Sequence, residues 1–321
     1  MTQSNKNIKI ILNRLIGPVL FVWISYSIYQ QILKQPDLHS SLGYLKESFR
    51  GHQLWKFLPV LFLMGSNWLF EAAKWKVLVD PLEPTSLIQS LKTVLAGLAT
   101  GLGTPNRIGE YGGRALFMRK ENRMGSLSAT AVSSFSQLLV TMIFGVTGMF
   151  ILKTDNTDNP LIVFSAAGVF SIVCCYVYFH PARIISIVIW FPFSQKILPH
   201  LTILEKLPVT VLLRVLFLSS IRYLIFVCQF ILLLEIMRVD VDWWQALWSV
   251  SILYLILAIV PSVALLELSV RAKAGILLFQ TMSKNIVGIY TASTGIWLVN
   301  VIVPAVIGSI FLMKRKIFNV N

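Results

Sequence analysis

The chain has 321 residues, 56% of them hydrophobic and only 13% charged, about half the charged share of an ordinary soluble domain. With a mean hydropathy of +0.73 it lacks the polar surface a water-soluble fold needs, and its composition excludes disordered, collagen-like and disulfide-built chains. A net charge of +14 in such a chain points to cytoplasmic loops facing anionic lipid rather than to nucleic acid, for which no recognition-helix, zinc-finger or RNA-binding signature is present.

The expected fold is all-α, a polytopic membrane helix bundle forming a single membrane domain over 1–321. Lys6, Lys9 and Arg14 lead into an apolar run ending near Leu33 with no small-x-small cleavage site after it, which reads as an uncleaved first span. Further apolar runs cover roughly 54–73, 87–104, 126–152, 160–180, 209–235, 243–260 and 285–313, each near the length a helix needs to cross a bilayer, so about eight spans are predicted. Two shorter pieces, 105–118 and 261–282, each begin at a proline and hold charges, which predicts broken or re-entrant helices. Leu38, Leu42, Leu45 and Phe49 recur at helical spacing in 38–49, and Ile184, Ile187, Val188, Trp190 and Phe191 lie beside Arg183 and Lys196 in 181–206. Both read either as surface helices or as plain loops. Trp55, Trp75, Trp243 and Trp244 fall near predicted interfaces, as in an aromatic belt. Cys174, Cys175 and Cys228 read as free buried thiols, and no histidine stands near them at ligand spacing, so no metal and no cofactor are expected.

Lysines and arginines orient the spans. With both termini in the cytoplasm of a cell (inner) membrane, the inner segments hold 14 basic residues and the outer ones 7, the bias expected of a multi-pass protein.

The two broken segments resemble each other. The first reads Pro105-Asn106-Arg107-Ile108-Gly109-Glu110-Tyr111-Gly112-Gly113-Arg114, and the second runs from Pro261 to Glu267 and Arg271. Each has a proline, then a glutamate, then an arginine four residues after the glutamate. This predicts inverted repeats, about 54–152 and 209–313, with 160–180 as the connecting span. Such repeats with discontinuous helices recur in transporters. Glu110 with Arg114, and Glu267 with Arg271, share a helix face at i, i+4 and can neutralise each other; a structural ion pair is the bland reading of both. Arg107, Arg114, Arg271 and Lys273 outnumber the two glutamates. Together with the dipole of a helix starting after proline, that surplus suits an anionic lipid headgroup. Gly109, Gly112 and Gly113 are candidates for a turn or a close backbone approach to that headgroup, while Gly97 and Gly101 have helix-contact spacing. Asn67, Glu71 and Arg222 are candidates for a cavity wall, because polar groups this deep in apolar runs face protein, water or ligand. Asn300, in the middle of the last run, suggests an interhelical hydrogen bond.

At Pro105-x-Arg107-Ile108-Gly109-Glu110 through Arg114, and again at Val260-Pro261 through Glu267 and Arg271, the sequence resembles the transmembrane region of lysylphosphatidylglycerol synthases, a flippase-like membrane family. The second segment lacks the family's glycines. Ser136-Gln137 stands where the family tends to carry a Glu-Arg pair. The resemblance implies movement of anionic phospholipid or polyprenyl-linked lipid between leaflets. With Asn321 eight residues past Met313, no synthase domain is expected. Three functions stay open: a lipid flippase or transporter, a non-transporting lipid-binding partner of a membrane-lipid or cell-envelope enzyme, and a membrane-embedded headgroup-modifying enzyme. No Walker, HExxH or G-x-S-x-G motif favours an ATPase or the enzyme. A homo-oligomer and an envelope-enzyme partner are both open.

Overall fold

The structure, a computed structural model, describes Tyr26 and residues 54–102, 104, 107–152, 160–180, 207–260 and 264–313. The expected first span, the surface segments 38–49 and 181–206, and the prolines opening the two broken segments lie outside them.

Among the described residues all regular structure is helical. The helices are α1 (Leu54–Val79), α2 (Leu87–Leu102), α3 (Gly109–Ala115), α4 (Arg123–Ile151), α5 (Pro160–Phe179), α6 (Val209–Ile236), α7 (Trp243–Ile259), α8 (Ala264–Phe279), α9 (Ile286–Trp297) and α10 (Val303–Met313). A short 3-10 turn, Lys120–Asn122, precedes α4, and a π turn, Leu298–Ile302, joins α9 to α10. Among the described residues three stretches are long and apolar enough to cross a bilayer: Lys120–Ile151, Val209–Ile236 and Ile286–Met313. α1 has 26 residues but carries Glu71, Lys74 and Lys76 in its second half. α2 and α7, with 16 and 17 residues, fall short of the roughly 30 Å hydrocarbon core at about 1.5 Å per residue. Each of these two runs into one of the broken segments.

The outside of the bundle is apolar. Phe62, Phe150 and Ile172 are each at least 70% exposed, an arrangement suited to lipid, where helices satisfy their backbone internally and need no polar coat. The protein is a membrane helix bundle. α1 lies along α6 and α2, α2 along α10, and α4 along α7. Val60 O accepts from Gln229 and Asn67 Oδ1 accepts from Arg222. Partners that rise on one helix as they fall on the other show that α1 and α6 run antiparallel. Two of these contacts depend on glycine. A Cβ on Gly308 would overlap the Leu95 carbonyl across the α2–α10 contact, and one on Gly145 would meet Leu255 across the α4–α7 contact. Small residues allow this approach where no hydrophobic effect drives helices together.

Three expectations change, and the contrast in length between the broken segments sharpens. The apolar run ending at residue 73 understates α1, which continues to Val79. Lys74 and Trp75 are therefore inside the bundle, 1% and 0% exposed, rather than at an interface. Lys74 also drops out of the inner-loop count, and Trp75 out of the aromatic belt. The three cysteines are half-buried, not buried. The two broken segments differ in length, seven residues in α3 against sixteen in α8. The last span is not a uniform α-helix: Pro304 has no N–H for the carbonyl of Asn300, and the π turn just before it accommodates the gap.

Candidate functional site

Glu71 is the hub of the interior. Its carboxylate is buried on α1 and meets three cations from three helices. Arg114 Nη2 on α3 donates to Oε1 at 2.7 Å, Lys74 Nζ lies 2.9 Å from Oε2, and Arg222 Nη1 on α6 also donates to Oε2. Ser133 Oγ adds a fourth donor, at 3.3 Å from Oε1. A carboxylate has about four acceptor sites, and these contacts fill them. Burial of a lone carboxylate in hydrocarbon is prohibitive, whereas a fully bonded one among three cations is tolerated.

The cations have further partners. Lys74 also donates to the Ser133 carbonyl at 3.2 Å. Arg114 Nη2 donates to Glu110 as well, and its guanidinium lies 5.0 Å from the centre of the Trp75 ring. Arg222 donates through Nε to Asn67 Oδ1 at 2.9 Å and through Nη1 to Gln137 Oε1 at 3.2 Å. From Asn67 the bonding continues to Asn300 at 3.4 Å, from Asn300 to Gln229 at 2.8 Å, and from Gln229 to the Val60 carbonyl at 2.8 Å.

Glycine brings α3 against α2. A Cβ on Gly97 would come within 2.7 Å of Arg114 Cγ, and one on Gly101 within 3.3 Å of Glu110 Cβ. Cβ atoms on Gly109 and Gly113 would overlap Thr100, whereas Gly112 faces open space. Gly109 and Gly113 thus serve the α2 contact rather than a headgroup. Thr100 Oγ1 lies 2.8 Å from the Gly109 carbonyl, and Gly109 N donates to Thr104 Oγ1 at 2.7 Å. Arg107, at φ 56°, turns the chain into α3 through the left-handed region, which costs a non-glycine residue about 1–3 kcal/mol. With seven residues, α3 lacks the length for the helix-dipole contribution expected from the sequence.

A cavity of about 620 Å³ opens over this layer. Its lining is cationic, with Lys74, Arg107, Arg114, Arg222 and Arg271 around Glu71 and Glu110. Apolar residues share the lining, among them Leu257, Ala258, Ile259 and Val260 at the end of α7 and Trp68 and Phe226 beside Arg222. Ile259 and Val260 are both exposed as well as on the lining. Arg271 comes from α8 and sits over the Tyr254 ring at 5.8 Å.

The structure thus brings Arg107, Glu110, Arg114, Glu71, Arg222 and Arg271 into one site. Asn67 lies behind the lining, where it holds Arg222. Lys273 is exposed and not on the lining; two residues beyond Arg271, a helix has turned by about 200°. The Glu267 side chain lies outside the described residues. Lys74, Ser133 and Trp75 join the site without having been singled out. The i, i+3 spacing of Lys74 from Glu71 was the available signal. Where a Glu-Arg pair was expected beside the first motif, Ser136 and Gln137 bond to Ser219 and Arg222 of α6 instead. The buried pair is made by Glu71 and Arg222.

Among curated proteins nothing matches the chain. The family model described as lysylphosphatidylglycerol synthase TM region matches residues 38–266, which takes in α1–α7 and the opening of α8. The chain belongs to the family of the lysylphosphatidylglycerol synthase transmembrane region.

Proposed function

We propose that the protein is a lipid transporter that passes anionic phospholipids or polyprenyl-linked lipids between the leaflets of the cell membrane, with both termini cytoplasmic. The observation that carries this reading is a cavity lined by both buried guanidinium groups and apolar side chains, Leu257 to Val260 among them. A lipid has the matching parts, an anionic headgroup and apolar tails. Guanidinium binds phosphate oxygens in bidentate fashion, and about 300–1,000 Å³ is the usual scale of a small-molecule site. Family membership supports a role in lipid biology.

Movement between leaflets calls for a site that opens alternately to each side, and two inverted halves supply that. The polar layer supports such a reading. Asn67 and Arg222 are each the fourteenth residue of α1 and α6, and Gln137 and Asn300 each stand fourteen residues beyond the first residue of α4 and α9. Exchanging the halves turns the Asn67–Asn300 bond into the Arg222–Gln137 bond, and leaves the Asn67–Arg222 bond in place. In the same exchange the α4–α7 contact becomes the α10–α2 contact. Glu110 is the partly exposed carboxylate among those described on the lining, and it is our candidate for coupling to protons.

The test is exchange of fluorescent phosphatidylglycerol against fluorescent phosphatidylcholine by purified protein in liposomes, for the wild type, Arg114→Gln and Arg271→Gln. Anionic-selective exchange that falls in variants of unchanged elution profile supports transport. Absence of exchange with phosphatidylglycerol still bound favours the lipid-binding partner subunit. Single cysteines at Arg119 and Lys284 test the inversion, since labelling of both from one side excludes it.

A further inference from the structure

The cavity holds more positive charge than one phosphodiester cancels. Its lining sets Lys74, Arg107, Arg114, Arg222 and Arg271 against Glu71 and Glu110, an excess of three. The count is of the described residues on the lining. In a low-dielectric interior an excess of this kind is costly until an anion of matching charge arrives. Four of the five cations are guanidinium groups, whose planar fork fits phosphate oxygens. Arg114 spends a single nitrogen, Nη2, on both of its carboxylates. Its Nε and Nη1 are buried with no hydrogen-bond partner among the described residues, on a side chain 2% exposed that lines the cavity. Such donors are costly to leave unpaired.

We infer that the headgroup taken here carries two or more negative charges, as a phosphomonoester or a diphosphate borne on a lipid, in preference to a single phosphodiester. This rests on the cavity being a lipid-headgroup site. A phosphomonoester carries about −1.5 to −2 at neutral pH, and a diphosphate ester carries more. Arg107, Arg114 and Arg222 come from the first broken segment and α6, while Arg271 comes from the second broken segment. The cations therefore converge on the cavity from both halves of the protein, Arg107 and Arg114 from the first and Arg222 and Arg271 from the second.

The experiment holds the tails constant and varies the headgroup. Purified full-length protein in a neutral detergent is titrated with dioctanoyl-phosphatidylglycerol, dioctanoyl-phosphatidic acid and dioctanoylglycerol diphosphate, with inorganic diphosphate as the tail-free arm, and binding is read by calorimetry. The expected order is diphosphate tightest, then phosphatidic acid, then phosphatidylglycerol, with at least about tenfold between first and last. Inorganic diphosphate is expected to bind at least about tenfold more weakly than the lipid diphosphate, since it lacks the tails that remove apolar surface from water. In Arg271→Gln, which lowers the excess by one, the gap between diphosphate and phosphatidylglycerol narrows. Equal affinity for the three lipids overturns the charge assignment and leaves the lipid reading standing. No binding of any lipid overturns the lipid reading itself. Inorganic diphosphate binding as tightly as the lipid diphosphate makes this a free-anion site and overturns the lipid part of the inference. The ranking is measured on the wild type, so it stands even if the variant does not fold.

Discussion

The two broken segments share a proline, a glutamate and an arginine at nearly the same spacing, yet they are built differently. α3 is two turns long, lies on a glycine face of α2, and has its arginine tied to Glu71 of α1 as well as to its own Glu110. α8 is more than twice as long, and its Arg271 stands over Tyr254 of the neighbouring α7. The short segment cannot hold itself, since so few residues form almost no helix alone, and so its position is fixed by tertiary contacts. The long segment has enough backbone hydrogen bonds to persist with fewer. The first is thus anchored through charge, in a cavity that both help to line.

The largest expected effect tests that anchoring. Glu71→Gln leaves Arg114, Arg222 and Lys74 buried around a neutral amide, and breaking a buried ion pair from one side costs about 3–5 kcal/mol. Folded yield and the thermal midpoint in detergent should both fall sharply. The matching change in the second segment, Arg271→Gln, should cost about 1 kcal/mol or less, within the ordinary range of single substitutions. Equal losses from the two variants would show that the segments are held alike.

Glycine gives the next comparison. In Gly97→Ala the new methyl meets Arg114 Cγ at 2.7 Å and the Glu110 carbonyl oxygen at 3.1 Å, which pushes α3 off α2. Overpacking of this kind costs about 1–3 kcal/mol. In Gly275→Ala the methyl meets the Ser293 hydroxyl at 2.5 Å, a group that can rotate away, so the loss should be smaller. Gly112→Ala faces open space and serves as the unperturbed control. Unfolding midpoints of the three variants, measured side by side, rank them.

Smaller again is the effect of the polar layer where the halves meet. Asn300→Leu removes the partner of Asn67 and Gln229, and Gln137→Leu removes a partner of Arg222. Interhelical hydrogen bonds in membranes average about 0.6 kcal/mol and reach about 1.7. Asn300→Leu should lie near the upper end, because it ends two side-chain bonds where Gln137→Leu ends one. Stability losses in the opposite order would weigh against treating the two positions as mates.

Most of this layer was legible in the sequence because polar residues stand out in apolar runs. Asn67, Glu71, Arg222 and Asn300 could be singled out without knowing their partners. Most of their partners were hidden because they come from helices distant in the sequence, as far apart as Asn67 and Arg222, which are 155 residues apart. Lys74 and Trp75 were misread for a different reason. A lysine and a tryptophan just past an apolar run look like an interface, whereas Glu71 one turn earlier and the Ser133 carbonyl hold Lys74 inside. Gly109 and Gly113 were visible as close-approach sites, but glycine alone does not reveal what approaches. The greater length of α8 was legible, since the second broken segment was read over 261–282 and the first over 105–118.

The weakest effect concerns the turn that delivers α1 to α2, and so sets the ground on which α3 packs. Asp80 Oδ1 accepts from Thr85 N at 3.0 Å, and Oδ2 accepts from Lys76. Burial by itself would raise the pKa of Asp80, but the hydrogen bonds from Lys76 and Thr85 and the charge of Lys76 outweigh it and hold the carboxyl below its ordinary value. The folded-state pKa is depressed, so this contribution is fully present above the unfolded value near 4 and is lost as pH falls through the folded value. Both partners of the ion pair are more than a third exposed, and solvent screening keeps the charge contribution to about 0.5 kcal/mol. Asp80→Asn keeps an acceptor for the Thr85 amide and removes the charge. Amide exchange at Thr85, corrected for intrinsic rate, should accelerate below pH 4 in the wild type and be flat with pH in the variant. A wild-type profile already flat would mean that Asp80 is not held by Lys76, and that the turn depends on the Thr85 hydrogen bonds, with no contribution from charge.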